Sequence, residues 1–264
     1  MTVGETYEYL QVHRHDRVAE IVLDRPKAHN ALSTAMAREI ASGAATVAAD
    51  REIRAVVLSS AAERAFCVGA DLKERNSYTD DDLRRQRPVF RAAFGGILDL
   101  PVPAIAAVHG FALGGGLELA LSCDLIVADE TAVLGLPEVT VGVIPGGGGT
   151  QLLARRLGYS RAADLILTGR RVDVAEAVRL GLVDRQVPAG TATAAALELA
   201  ATIAANSPVG VRNAKRALRL GTDGSLAAGL EIEDAAWRST AFSGDRHEGV
   251  AAFNEKRTPD WPGE

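Results

Sequence analysis

The chain has 264 residues, with 29 lysines and arginines against 34 aspartates and glutamates, for a formal net charge of −5. Hydrophobic residues make up 47% and charged residues 24%, which describes a globular chain of one large domain, or one domain with an appendage. This excludes a disordered or low-complexity chain, and the acidic balance argues against a nonspecific nucleic-acid binder, which needs a basic footprint.

In chain order, strands are predicted over Tyr7–Val12 and Val18–Leu23, joined by a polar turn at His13–Arg17. A helix follows over Ser33–Ala48, with Ser33 as N-cap and Met36, Ile40 and Val47 near one face. Arg54–Ser59 is an apolar run of buried-strand length. Asp80–Leu98 reads as a helix with three aspartates at its positive end, broken or kinked at Pro88. Next come a strand at Ala104–Val108, a short helix at Gly115–Leu121 and a strand at Asp124–Ala128. Helices are predicted over Leu152–Leu157, Ala162–Leu167 and Val172–Leu180, the last ended by Gly181. Leu182–Val187 is the final strand. Beyond it lie only helices, over Thr191–Ala205, Pro208–Leu220, Leu226–Thr240 and Arg246–Lys256.

Alternating elements up to residue 190 imply an α/β class with parallel sheets, and residues 191–264 a helical assembly region. Cys67 and Cys123 fit no disulfide or CxxC pattern and are expected to be reduced and buried. The five histidines make no metal-ligand cluster. The start of the chain carries no basic segment followed by an apolar run, and the most apolar stretch is too interrupted to span a membrane. A cytoplasmic protein with no membrane or nucleic-acid partner is expected.

Chemistry concentrates in three segments: Ala65 to Leu72, His109 to Ala120, and Leu136 to Thr150. The glycine runs at Gly114–Gly116 and Gly146–Gly149 are not P-loops, because no lysine precedes a Ser or Thr there. They also fail the GxGxxG pattern, at Leu119 and Gln151. Glycines at a strand-to-helix junction also let a ligand approach bare backbone N–H groups, or permit tight helix–sheet packing. An N–H at the start of the Gly115 helix suits a carbonyl oxygen that becomes an anion. Glu118 and Glu138 each sit in apolar surroundings, where a carboxylate is costly unless it is paired or functional. The alternative for each is a solvent-facing position. If the two meet over one substrate, they can divide general acid and base roles.

Together these segments resemble the enoyl-CoA hydratase/isomerase, or crotonase, family. The resemblance begins at Leu23 to Leu32, similar to the family's NRPxxxNAL motif, and ends at Glu248 to Arg257. It implies a spiral of ββα units followed by a helical trimerisation region, assembled as a homotrimer or hexamer. It implies a CoA-thioester substrate, with coenzyme A as part of that substrate and no prosthetic group. By motif match, the backbone amides of Ala70 and Gly115 polarise the thioester carbonyl. Hydratase-type members carry both glutamates, in GGGxE and PE, here Glu118 and Glu138. The resemblance therefore implies reversible addition of water to a 2-enoyl-CoA. Glu118 would deprotonate the water that attacks C3, and Glu138 would deliver a proton to C2. Isomerisation, or a specialised reaction on another acyl-CoA, is the alternative.

Gly146 matches a glycine close to the water site. Arg25, Lys27, Ala28, Ala65, Val68, Gly69, Asp71, Leu72, Gly114 and Pro137 match the substrate path, and Phe253 and Lys256 match contacts across a subunit boundary. For Lys27 and Lys256, ordinary surface charge is the competing reading. Asp24 and Val68 depart from the usual asparagine and alanine. Tyr78, Phe90 and Phe94 are candidate walls of the acyl pocket, or simply packing residues of a helix.

Overall fold

The computed structural model describes residues 6–264. The strands are β1 Leu10–His15, β2 Val18–Leu23, β3 Ala55–Ser60, β4 Ala65–Cys67, β5 Ala104–Val108, β6 Phe111–Leu113, β7 Leu125–Asp129, β8 Val133–Gly135, β9 Arg171–Asp173 and β10 Arg185–Val187. The helices through the first part are α1 Thr34–Ala49, α2 Leu72–Arg75, α3 Asp80–Leu98, α4 Gly115–Ser122, α5 Gly149–Leu157, α6 Tyr159–Thr168 and α7 Val174–Leu180. Four more follow: α8 Ala192–Ala204, α9 Pro208–Gly221, α10 Leu226–Ala241 and α11 Gly244–Glu255.

Two sheets result, a six-stranded one in the order β1-β2-β3-β5-β7-β10 and a four-stranded one in the order β4-β6-β8-β9. The pairs β3/β4, β5/β6 and β7/β8 each place one strand in the large sheet and the next in the small one, with helices following. This is the ββα spiral that the resemblance implies. Side chains alternate across the large sheet as a period of two demands. Val56, Leu58, Ala104, Ala106, Val108, Ile126 and Ala128 join the main core with α1 and α3. Ala55, Val57, Ile105, Ala107 and Val127 face the other way, onto Ala196, Leu199 and Ala200 of α8. Helix α8 is thus a layer of the core, so the boundary expected at residue 190 does not separate a sheet domain from an assembly region. The outward helical part begins with α9.

Three predicted elements change. The first strand runs from Leu10 to His15, and the turn shrinks to Asp16 and Arg17, with Asp16 left-handed at φ 52°. The polar residues of the expected turn stay in the strand because β1 is an edge: His15 Nε2 pairs with Glu20 at 2.9 Å and His13 with Gln11 at 2.9 Å. Helix α3 continues through Pro88 without a break. Pro88 and Arg84 both lie on its exposed side, so the carbonyl that loses its donor is open to water. The helix is anchored by a capping box between Thr79 and Asp82, whose pKa falls to about 2 through hydrogen bonds from Thr79 and Arg85. The expected helix start at Val172 is instead strand β9, and Asp173 caps α7. The small sheet itself is new, because three-residue strands carry no readable alternation. Both cysteines are buried thiols, each pushed up to about 12 by burial. Among the described residues no single helix is long and apolar enough to cross a membrane.

Asn30 ties the two sheets together. It is fully buried and left-handed at φ 55°. Its Nδ2 donates to Leu23 O, Ser60 Oγ and Phe66 O, while its Oδ1 accepts from Arg25 N at 2.7 Å. Replacing it with Ala leaves buried carbonyls unpaired and an unfavourable φ. Asn30→Ala is expected to lower the unfolding free energy by about 3 kcal/mol, read as a lower denaturant midpoint at unchanged slope.

Candidate active site

Strands β4, β6 and β8 are parallel neighbours, so their C-terminal ends leave the small sheet on the same side. Ligands of parallel sheets bind at such ends. The loop after β4 carries Gly69 and Ala70, the turn after β6 opens α4 at Gly115, and Pro137 and Glu138 follow β8. These loops frame a cavity of about 910 Å³. Among the described residues, neither the Ala70 nor the Gly115 backbone N–H has an acceptor in the chain. The Gly115 N–H stands at the first turn of α4, where the helix has no internal partner for it and presents positive charge.

Two glycines hold these amides side by side. Gly69 has φ +91°, and a Cβ there would lie 2.9 Å from Leu113 O and 3.2 Å from Gly115 N. Gly116 lets α4 sit directly on β4, since its Cβ would fall 2.0 Å from Cys67 O. Free amides at a helix start are chemically suited to a carbonyl oxygen that gains negative charge.

The two glutamates have opposite surroundings. Glu118 is 3% exposed, and its Oε1 accepts from Gly147 N at 2.6 Å and Gly149 N at 2.8 Å. The second glycine run is therefore a cradle for a carboxylate belonging to the protein, not for a phosphate. Burial raises the Glu118 pKa, opposed by the N–H groups of Gly149, Gly147 and Gly146 and by Arg87. Arg87 Nη1 also donates to Gly146 O at 2.5 Å, bracing that loop. Glu138 has only its own backbone N–H as such a donor, and its buried Oε2 has no hydrogen-bond partner. Burial first, then the Glu118 charge, raises its pKa to about 7. Both carboxyls are raised by burial, but backbone donors favour the ionised form of Glu118 while Glu138 keeps a proton toward neutrality.

Of the residues singled out in the sequence, Val68, Gly69, Ala70, Leu72, Gly114, Gly115, Glu118, Pro137, Glu138 and Gly146 line the cavity. The others do not. Ala65 is fully buried within β4. Arg25 and Asp71 are engaged with each other at 2.7 Å, and Arg25 also holds Ala31 O. Asp71 caps α2 as well, accepting from Lys73 N and Glu74 N. Burial alone would raise its pKa, but Arg25 and these amides hold it below the usual carboxylate range. This pair shapes the Ala70 loop rather than lining the cavity. Lys27 and Ala28 lie on a 3-10 turn at Pro26–Ala28, with Lys27 exposed. Phe253 and Lys256 are exposed at the end of α11, outside the cavity. Phe90 and Phe94 do form cavity wall, whereas Tyr78 bonds the Thr34 hydroxyl. Sequence reasoning missed Arg75, Leu83, Gln86 and Arg87 on α2 and α3, and Gly147 and Gly149. A helix predicted over Asp80–Leu98 puts Leu83, Arg87, Phe90 and Phe94 on one stripe, a signal that was available.

Comparison with known proteins decides the family. The model of the family described as enoyl-CoA hydratase/isomerase matches residues 13–264. The chain belongs to the enoyl-CoA hydratase/isomerase family. YngF of Bacillus subtilis, provisionally described as an enoyl-CoA hydratase/isomerase, is 45% identical over 250 residues, covering 95% of this chain and 96% of that protein. The human enoyl-CoA hydratase domain-containing protein 2, mitochondrial, is 43% identical, covering 93% of this chain and 86% of that protein. The crystal structure of an enoyl-CoA hydratase from Bacillus anthracis superposes with a TM-score of 0.95 at 42% identity, covering 97% of this chain and all 100% of that one.

Two outcomes follow from this geometry. Gly69→Ala forces a side chain into positive φ and against the Gly115 amide, so kcat for thioester turnover should fall at least tenfold. Glu138 binds its proton more tightly folded than unfolded, so ionising it destabilises the fold as pH rises from about 4.5 through about 7. Glu138→Gln should therefore gain stability relative to the parent between pH 5 and pH 8, measured by denaturant titration at each pH.

Proposed function

We propose that this family member is an enoyl-CoA hydratase, a lyase that adds water reversibly across the C2–C3 double bond of a 2-enoyl-CoA to give a 3-hydroxyacyl-CoA. The observation that carries the reading is the glutamate pair beside two free amides, one carboxylate cradled by N–H donors and the other buried with an unpaired oxygen.

The thioester carbonyl oxygen accepts from Ala70 N–H and Gly115 N–H, which draws electron density toward it and leaves C3 electrophilic. A water between the carboxyls gives a proton to ionised Glu118 as its oxygen bonds to C3. The double-bond electrons move to the carbonyl oxygen, and the enolate charge rests on the two amides. Protonated Glu138 then delivers its proton to C2, and the carbonyl re-forms. The pair ends with its proton on Glu118 and resets by exchange through the site water. Because the two groups titrate together, the assignment of acid and base belongs to the pair, biased by the donors around Glu118.

Self-association belongs to the same proposal. Helices α9 to α11 expose Leu218, Leu226, Leu230, Trp237, Phe242 and Phe253, a patchwork of large apolar side chains. This supports a trimer or hexamer, since such surface is costly in water.

The test follows crotonyl-CoA by loss of its conjugated-thioester absorbance, with the product mass measured. The parent enzyme should add one water. Glu118→Gln and Glu138→Gln should each lower kcat by about 10²- to 10⁴-fold. A product of unchanged mass, with the double bond moved, would replace hydration by isomerisation.

A further inference from the structure

Arg75, Arg87 and Arg171 line the cavity without a role in the hydration steps, and Arg75 is the one stacked on an aromatic wall residue. Arg75, the last residue of α2, lines the cavity wall. Its guanidinium carbon lies 5.0 Å from the centre of the Phe90 ring, and its Nε donates to Gln86 Oε1 at 3.0 Å. Among the described residues it makes no ion pair. The adjacent carboxylate turns its oxygens elsewhere: Glu74 accepts from Thr34 N at 3.0 and 3.1 Å and from Gln86 Nε2 at 3.2 Å. Arg75 therefore keeps four of its N–H donors for something else. Burial pushes its pKa below the ordinary value, partly opposed by the charges of Glu74 and Glu118.

The position of Arg75 indicates which part of a substrate it meets. Phe94 stands beside the paired amides, its Cζ 3.5 Å from where a Gly115 Cβ would be. The Phe94 and Phe90 ring centres are 6.3 Å apart, and Arg75 stacks on Phe90. Amide, ring, ring and guanidinium thus run in series along one wall. Both rings are only 5% exposed, so they make a firmly packed wall. An acyl chain held at the two amides and laid along this wall would end at Arg75. Most of the surrounding wall is apolar, including Leu83, Val143 and Ile144. A purely hydrocarbon chain would leave a half-buried guanidinium facing it, which is unfavourable. A terminal carboxylate would pair with it in the two-pronged geometry that arginine favours.

We propose that Arg75 is a specificity determinant that receives a carboxylate at the far end of the acyl chain, so that the preferred substrates are 2-enoyl-CoA thioesters of dicarboxylic acids. This rests on the enoyl-CoA reading above and names its substrate class.

The experiment compares a 2-enoyl-CoA of five carbons carrying a terminal carboxylate with the methyl-terminated thioester of equal length. The parent enzyme should favour the carboxylated substrate in kcat/KM. Arg75→Met should lose about 10- to 100-fold on it, and at least tenfold more than on the methyl-terminated one. Arg75→Lys keeps the charge without the fork and should fall between. The same comparison is made by calorimetric binding of the two saturated thioesters, which undergo no hydration. That readout stands even if no water is added, so failure of the hydratase reading and failure of this proposal are distinguishable. A parent preference for the methyl-terminated ligand overturns the proposal. So does an equal loss on both ligands, which would make Arg75 a support of the α2–α3 elbow or a contact to coenzyme A. If Arg75→Met does not fold, the Arg75→Lys ratio decides by the same criterion.

Discussion

The active site depends on the parallel pairing of β4, β6 and β8. Each strand has only three residues, yet their shared direction brings three distant loops to one edge. Ala70, Gly115 and Glu138 are far apart in the chain and become neighbours there. The pairing tolerates almost no slack at one point, where Gly116 of α4 touches the Cys67 carbonyl of β4. Any side chain at that contact would lift the helix and separate the two amides. The larger sheet supports this arrangement through Asn30, whose amide bonds carbonyls of β2 and β4 together.

Within that frame, electrostatics divides two identical side chains. Glu118 and Glu138 are both buried enough to resist ionisation, but Glu118 is given several backbone donors and Glu138 only its own amide. Those donors come from the glycine run before α5, a loop braced from behind by Arg87. A helix N-terminus thus stabilises a carboxylate instead of a phosphate, by the same positive amide ends. Carboxyls with such unequal donor sets facing one pair of amides suit a reaction that removes a proton from one atom and returns one to another.

The helical end of the chain has two roles. Helix α8 closes the second face of the large sheet with small residues, Ala196 and Ala200 among them, and is part of the core. Helices α9 to α11 bury far less and keep large apolar side chains outward. Phe253 and Lys256, expected near the substrate across a subunit boundary, lie on this outward part.

The sequence by itself determined the strands of the large sheet, the helices and the glutamates. Runs such as Ala104–Val108 are buried on both faces and read plainly as strands, and the ordered motifs around Gly69, Gly115 and Glu138 carry the family. It also marked Phe90 and Phe94. What the tertiary structure alone decided is the small sheet, the partner of each polar group and the far wall of the cavity. Three-residue strands have too little length to show alternation, so β4 and β8 become visible only when paired. Arg25 and Asp71 match substrate-path positions in sequence, but in space they neutralise each other. Arg75 looks like an ordinary surface cation in sequence, because its lack of an ion-pair contact depends on Glu74 turning its oxygens to Thr34 and Gln86. Hydrogen bonds to such distant donors are set by folding, and no local pattern encodes them.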